Sequence, residues 1–439
     1  MNINRNMGNI IKRTVIFLLV MLAFCGLLAL RAESADVYLD VTKLAKKINI
    51  FVPDFIKDGS VQETDALSRE ITDILRNDLN FSGIFSVQKG TGFEGKDFEA
   101  LQALKIDAIL RGTYKIEEDD LVLECHAFDV KKGQPIMGKK FSSGKRYLRY
   151  IVHQMSDEIV FSFSGTRGIA HTKIAFIAEV DGYKEVFIVD YDGHNLRKIT
   201  DDKSINVMPM WSPDGRKIIY SSYRNINPDL YEFDLKYFSS SLISGLPGLN
   251  VSAEYSPNGK YIAITLSKDG DPDIYILRSN GKNPRRVTYS RANDTSASWA
   301  PNGREITFTS NRAGSPQIYV MDLEGTNLRR LTYRGSYNDS SCWSPRADKI
   351  AYVSRTSGRF DIYTITPDGY NVRRLTRDSG SNENPSFSPD GQYIVFSSTR
   401  SGKRDLYIMK SDGSDQRKLL PGEVASAIKG DLFAPSWGP

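Results

Sequence analysis

Histidine and cysteine are scarce in this 439-residue chain, which holds four of the first and three of the second. The histidines (His126, His153, His171 and His194) stand at no metal-ligand spacing, and no Gly-x-Ser-x-Gly elbow, zinc motif or Walker loop occurs. These absences disfavour an enzyme, and no cofactor is implied. Cys25 falls in an N-terminal leader, so Cys125 and Cys342 remain, far apart in sequence. They form neither a disulfide framework nor a metal knuckle and read as small buried strand residues. Concentrated charge of one sign is also missing. The formal net charge is +5, but Arg5, Lys12, Arg13 and Arg31 less Glu33 contribute +3 of it, and no dense basic run follows. A nucleic-acid partner is therefore not expected. The apolar run Val15–Leu30 has sixteen residues, short of the roughly 20 a membrane-spanning helix needs.

That run has another reading. Basic residues precede it, and the small residues Ala32, Ser34 and Ala35 follow, which is the layout of a secretory signal peptide. Cleavage is expected after Ser34, so that residues 1–34 are removed. Leu22-Ala23-Phe24-Cys25 resembles a lipidation site, but bulky Phe24 stands where a small residue is wanted.

What the chain has in quantity is repetition. Trp211-Ser-Pro-Asp-Gly returns at Tyr255, Trp299, Trp343 and Phe387, 44 residues apart each time. A second phrase keeps the same step: Glu185-Val-Phe, Asp229-Leu-Tyr, Asp273-Ile-Tyr, Gln317-Ile-Tyr, Asp361-Ile-Tyr and Asp405-Leu-Tyr. A third is basic-apolar-Thr, ending at Thr200, Thr288, Thr332 and Thr376, with degenerate copies at Leu242-Ile243-Ser244 and Lys418-Leu419-Leu420. Pro fixes φ for the first corner of a tight turn, and Asp or Asn followed by Gly completes it, so the first phrase is a hairpin corner. Ala347 replaces the glycine in the fourth copy, at a cost of about 1 kcal/mol if φ is positive there, and that turn is expected to be reshaped around Asp348.

Four short strands per unit at this period predict a β-propeller rather than a linear solenoid. The first unit lacks a preceding aromatic strand, and the chain ends on Ala434-Pro435-Ser436-Trp437, so that last strand is expected to complete the first blade. The fold class is thus an α/β N-terminal domain (35–166) followed by an all-β six-bladed propeller (167–439) closed by the C-terminal strand. In the first domain we expect a strand at 47–52, a helix carrying Leu67, Ile71, Ile74, Leu75 and Leu79, a strand at 84–87, a short helix at 98–104, a hairpin (108–116 and 121–130), a final helix at 147–161 and a linker at 162–168. Gly90-Thr-Gly-Phe-Glu-Gly95 mimics a dinucleotide fingerprint, but a charged hairpin follows instead of a parallel βαβ continuation, so it reads as a loop.

Asp190-x-Asp192-Gly193 and Asp269-x-Asp271-x-Asp273 lack the ligand ladder of a calcium loop and read as hairpin-turn acids. Five residues before each aromatic stand Asn206, Asn250, Asp294, Asn338 and Asn382, with Thr295, Asp339 and Glu383 following three of them. Their shared phase predicts a polar ring at one mouth of the channel, on loops that commonly carry binding function. Local Asx turns are the structural alternative.

The signal peptide, the α/β domain with Leu148-Arg149-Tyr150 in its last helix, the Tyr191-Asp192-Gly193 turn and the Trp-Ser-Pro-Asp-Gly units together resemble the TolB family of the Tol-Pal envelope system, across nearly the whole mature chain. The resemblance implies a periplasmic, non-enzymatic, monomeric adaptor that maintains outer-membrane integrity and takes part in envelope constriction at cell division, touching membranes only through its partners. It implies binding of the lipoprotein Pal over the propeller mouth, with Asn293, Asp294 and Thr295 matching the family's contact stretch best. Leu249 and Ser252 occupy further contact positions with departing side chains, beside Asn206, Asn250, Asn338, Asp339, Asn382 and Glu383. It also implies binding of TolA through the mature N-terminus, Asp36, Val37, Tyr38, Leu39, Asp40, Val41 and Thr42, whose apolar alternation suits strand pairing. The competing reading of the same mouth is a propeller that binds or hydrolyses peptidoglycan fragments. A third is the propeller of a peptidase complex, but no hydrolase domain accompanies it.

Overall fold

Strand β1 (Ile48–Phe51) and the two-residue β2 (Ile56–Lys57) lead into helix α1 (Ala66–Phe81). The computed structural model describes residues 46–58, 65–90 and 98–439; the leader, Asp36–Thr42 and the stretch Thr91–Gly95 lie outside the described residues. Asp65 caps α1, its carboxylate accepting the Ser68 amide at 2.8 Å, which satisfies one of the free N–H groups at the helix start. Ile71, Ile74, Leu75 and Leu79 recur on one face of α1 and are buried. Strand β3 (Phe85–Gln88), helix α2 (Phe98–Ala103), the strands β4 (Ala108–Glu117), β5 (Asp120–Asp129) and β6 (Gln134–Gly144), and helix α3 (Leu148–Ser164) follow. The sheet order is β3-β1-β4-β5-β6, with β1 parallel to both of its neighbours. Residues of α1 and α3, such as Leu75, Leu79, Val152 and Met155, share one core with Ile50, Leu110 and Leu123 of the sheet.

Two features depart from expectation. The hairpin gains a third strand, β6, most of whose side chains face solvent while Met137 reaches the core, so it carries no clean alternation. Gly138 allows its close pass over β5, because a Cβ there would meet the His126 ring at 2.8 Å. The expected linker is shorter: α3 runs to Ser164, Gly165 caps it at φ 72, and the Asp157 carboxylate accepts the amides of Ala170 and His171 at 2.9 and 3.0 Å.

Beyond it stand six four-stranded antiparallel sheets, the blades of the propeller. In five of them the inner strand comes first in sequence: Asn206–Trp211, Asn250–Tyr255, Asp294–Trp299, Asn338–Trp343 and Asn382–Phe387. Blade one takes its inner strand, Leu432–Trp437, from the C-terminus, pairing Trp437 with Ile174 and Leu432 with Ala178. Trp437 further donates from Nε1 to Thr172 Oγ1 at 2.9 Å and from its amide to Ser386 Oγ in blade six at 3.0 Å. The strands are apolar on consecutive residues because each blade is packed on both faces, as with Ile274, Tyr275, Ile276 and Leu277, all buried.

The corner at 212–215 follows the predicted chemistry: Gly215 has φ 67 and donates to Ser212 O, and Asp214 accepts from Ser212 Oγ at 2.6 Å. The fourth corner is not reshaped. Ala347 takes φ 58 and donates to Ser344 O at 2.9 Å, in the same geometry as glycine, so packing of the flanking strands outweighs about 1 kcal/mol of backbone strain. Every inner strand also carries a β-bulge, where Met208, Ser252, Ser296, Ser340, Asn384 and Ala434 adopt φ of 54, 54, 54, 53, 54 and 42. No glycine marks these positions in the sequence.

Candidate functional site

The five residues that set the phase of the expected ring open their inner strands, yet all five side chains are wholly buried. Asn206 Nδ2 donates to Asp202 Oδ1 at 2.9 Å and Glu185 Oε2 at 3.1 Å. Asn338 Nδ2 donates to Gln317 Oε1 and Arg334 O, both at 2.8 Å, and Asn382 Oδ1 accepts from Ser398 Oγ at 2.7 Å and Arg400 Nη2 at 2.9 Å. Asn250 bonds Ser244 and Leu246, and Asp294 is paired with Arg312 at 2.8 Å. The bonds of Asn206, Asn250 and Asn338 fasten one blade to the next, while those of Asp294 to Arg312 and of Asn382 to Ser398 and Arg400 lie within a blade; either way a buried polar group must find its partners inside the protein. The expectation that they face the mouth is therefore corrected: none offers its side chain to a partner.

The same geometry unites the sequence landmarks. In the fifth blade Thr376 Oγ1 donates to Asp361 Oδ1 at 2.7 Å and accepts the Ile362 amide at 2.9 Å, while Asn382 of the next blade donates to that carboxylate oxygen at 3.3 Å. Arg374, the basic member of basic-apolar-Thr, pairs with the other oxygen of Asp361 at 2.6 Å. Thr200, Thr288 and Thr332 accept the corresponding amides at 2.8, 2.9 and 2.9 Å. In the last blade Leu420 replaces threonine, and the Leu406 amide turns to Asp405 Oδ1 at 2.9 Å instead.

What the mouth does present lies beside these anchors. Leu249, Ser252, Thr295, Asp339 and Glu383 are partly exposed and Asn293 is exposed. Asp339 accepts from Thr309 Oγ1 at 2.7 Å, and Glu383 is paired with Arg404 at 2.9 Å. The loops at this end also carry apolar groups that the sequence reading missed: Ile226 is 93% exposed, Tyr289 77% and Tyr333 74%. The signal for the two tyrosines was available, because each follows the threonine of its repeat. Below them the channel narrows to a cavity of about 120 Å³ lined by all six inner strands. Burial pushes the Glu254 carboxyl in its wall up to about 7, although it accepts from the Trp299 amide at 3.2 Å. Burial likewise raises the thiol of the partly buried Cys342 to about 12, which disfavours its thiolate.

The opposite end of the propeller packs against α1 and α3. Phe81 stacks on Tyr393 with centroids 4.1 Å apart, and Tyr191 donates to Asp78 Oδ1 at 2.5 Å. Gly193 is required here, at φ 85 with Leu419 O only 2.2 Å from where a Cβ would stand. The two acids of Asp190-x-Asp192 are more than turn residues. With His153 they bring three ligand-type side chains within 4.8 Å of one another. However, Lys173 pairs with Asp190 and Arg149 with Asp192, so the chain supplies its own cations at this cluster. In the other acidic motif, Asp269 accepts from Tyr275 OH at 2.5 Å and Asp273 pairs with Arg286 at 2.5 Å, two separate structural tasks.

Among the described residues no helix is long and apolar enough to cross a membrane. Comparison with known proteins gives a consistent result. Residues 37–136 match the TolB amino-terminal domain and residues 160–439 the TolB beta propeller domain. The chain is 37% identical over 194 residues to the Tol-Pal system protein TolB of Geobacter sulfurreducens, covering 42% of this chain and 45% of that protein. It is 32% identical over 236 residues to the protein of that name from Desulfotalea psychrophila, covering 52% and 54%. The chain thus spans about half the length of the curated relatives it matches. The crystal structure of TolB from Acinetobacter baumannii superposes with a TM-score of 0.76 at 28% identity, covering 90% of this chain and 97% of that one. With the propeller family matched over well more than half of its residues, the chain belongs to the TolB family.

Proposed function

We propose that this chain is a non-enzymatic periplasmic adaptor of the Tol-Pal system, which binds Pal on the open mouth of its propeller and TolA through Asp36–Thr42, and so maintains the outer membrane and its constriction at division. In this reading residues 1–34 are a signal peptide removed on export, 35–166 the first domain and 167–439 the propeller. One observation carries it: the mouth away from α1 and α3 exposes Ile226, Tyr289 and Tyr333 on loops of three different blades. Apolar and aromatic groups on a rigid scaffold are the usual anchors of a protein interface. Leu249, Ser252, Asn293, Thr295, Asp339 and Glu383 are then the contact residues, and the buried Asn206, Asn250, Asp294, Asn338 and Asn382 hold their loops in place.

Calorimetry with the cognate Pal tests this reading. Tyr289→Ser and Thr295→Ala weaken binding without changing thermal stability, whereas Asn338→Ala acts through stability. No heat of binding with the wild-type chain refutes the proposal. Deleting residues 36–42 abolishes capture of TolA and leaves Pal binding in place.

A further inference from the structure

The seam between α1, α3 and blade one gathers three carboxylates, Asp78, Asp190 and Asp192, against two fixed cations, Arg149 and Lys173. Burial raises the Asp78 carboxyl while the bonds from His153 and Tyr191 lower it; with all three carboxylates ionised, one negative charge is left over. His153, on α3 and 1% exposed, stands in its midst. Its Nδ1 lies 2.8 Å from Asp78 Oδ2, while Nε2 faces Asp192 Oδ2 at 3.7 Å with no hydrogen-bond partner. A neutral imidazole donates through only one nitrogen. If Nδ1–H is given to Asp78, the bare lone pair of Nε2 points at a carboxylate, and two acceptors face each other inside the protein. A proton on Nε2 turns that repulsion into attraction and balances the charge of the seam.

We infer that His153 is held as an imidazolium that latches the first domain to the propeller, and that its deprotonation loosens this seam. Asp78 comes from α1, while Asp190 and Asp192 come from blade one, so the charged ring bridges elements that share no backbone ladder. The other groups facing the seam are accounted for. Tyr191 OH donates to the second oxygen of Asp78, the His194 amide donates to Asp192, and Asp157 is paired with His171. From blade six, Arg417 lies over the Phe81 ring at 5.2 Å. Burial opposes charge on His153, but the bond to Asp78 and the nearby Asp78 and Asp192 charges outweigh it despite Arg149, so the ring titrates above its ordinary value. A raised histidine stabilises fully below the unfolded value of about 6.5. That contribution disappears as pH rises through the raised value.

The test uses the full mature chain with nitrogen-15-labelled histidine. Both ring nitrogens of His153 are expected to stay protonated to higher pH than in an ordinary histidine, and the amide protection factors of α3 and of Ile169–Thr172 are expected to fall as pH rises through that titration. Asp192→Asn keeps the fold and moves the titration to lower pH, and His153→Gln makes the protection independent of pH. An Nε2 that loses its proton at or below the ordinary histidine value, a metal ion bound to it, or wild-type protection that stays flat while His153 titrates overturns the inference. If His153→Gln fails to fold, the wild-type spectrum and the Asp192→Asn variant still decide.

Discussion

Replacing Thr376 by valine keeps the side-chain shape and removes one hydroxyl, which makes it a sharp probe of the joint between blades five and six. The hydroxyl accepts the Ile362 amide at 2.9 Å and donates to the Asp361 carboxylate at 2.7 Å, and Thr376 is fully buried. The variant leaves a buried amide unpaired and strips one donor from a buried carboxylate. A hydrogen bond to a charged group is worth about 1.5–3 kcal/mol and an orphaned amide costs about 1–3 kcal/mol, so an overall loss of about 3 kcal/mol is expected. With an m-value of about 3 kcal/mol/M for an assembly of this size, the urea midpoint falls by about 1 M. Thr332→Val, at the same joint one blade earlier, costs less, because that hydroxyl donates to the neutral Gln317 Oε1 at 2.8 Å. The last blade differs, because the Leu406 amide already uses Asp405 in place of a threonine; Leu420 is buried in an apolar cluster there, so Leu420→Thr lowers the midpoint through lost packing. A midpoint shift below about 0.2 M for Thr376→Val refutes the claim that these clusters fasten the blades.

Further expectations follow from other sites. Ala347→Gly relieves the residue at φ 58 and stabilises by about 0.5–1 kcal/mol, read as a rise in the urea midpoint. Trp437→Ala removes a buried ring and its Nε1 bond, costs about 3–5 kcal/mol, and frays the pairing of 432–437 with 173–180 in hydrogen exchange. Glu254 is raised from 4.5 to about 7 in the folded protein. Between these values the unfolded chain has released the proton that the folded one keeps, so stability falls as pH rises from about 4.5 to about 7 and then levels off. Glu254→Gln flattens that part of the pH–stability curve, and an unchanged curve contradicts the burial of this carboxyl.

The repeat made the propeller legible, because a hairpin corner recurring every 44 residues fixes strand number and phase without any knowledge of packing. Closure was equally visible in the orphan Trp437. What the sequence hid was direction. Asn338 and Asp339 are neighbours with the same polar character, yet one is buried against Gln317 and the other partly exposed, and only the register of the inner strand separates them. Strand β6 escaped notice because an edge strand that packs one residue inward has no period to detect. The six bulges escaped for a related reason: their left-handed residues are Met, Ser, Asn and Ala rather than glycine. His153 gave no sign of its surroundings, since Asp78 and Asp192 reach it only when the two parts of the chain meet.

The joining of Trp437 to the first blade also has a kinetic side. Trp437 bonds Thr172 across 265 positions of sequence, and bringing two points that far apart together costs about 5 kcal/mol of chain entropy. Until residues 432–437 have been made, strand 173–180 keeps one side unpaired, and the growing array is a row of stacked sheets with two open ends. Such edges invite pairing with other chains. Closing the ring removes both of those edges at once.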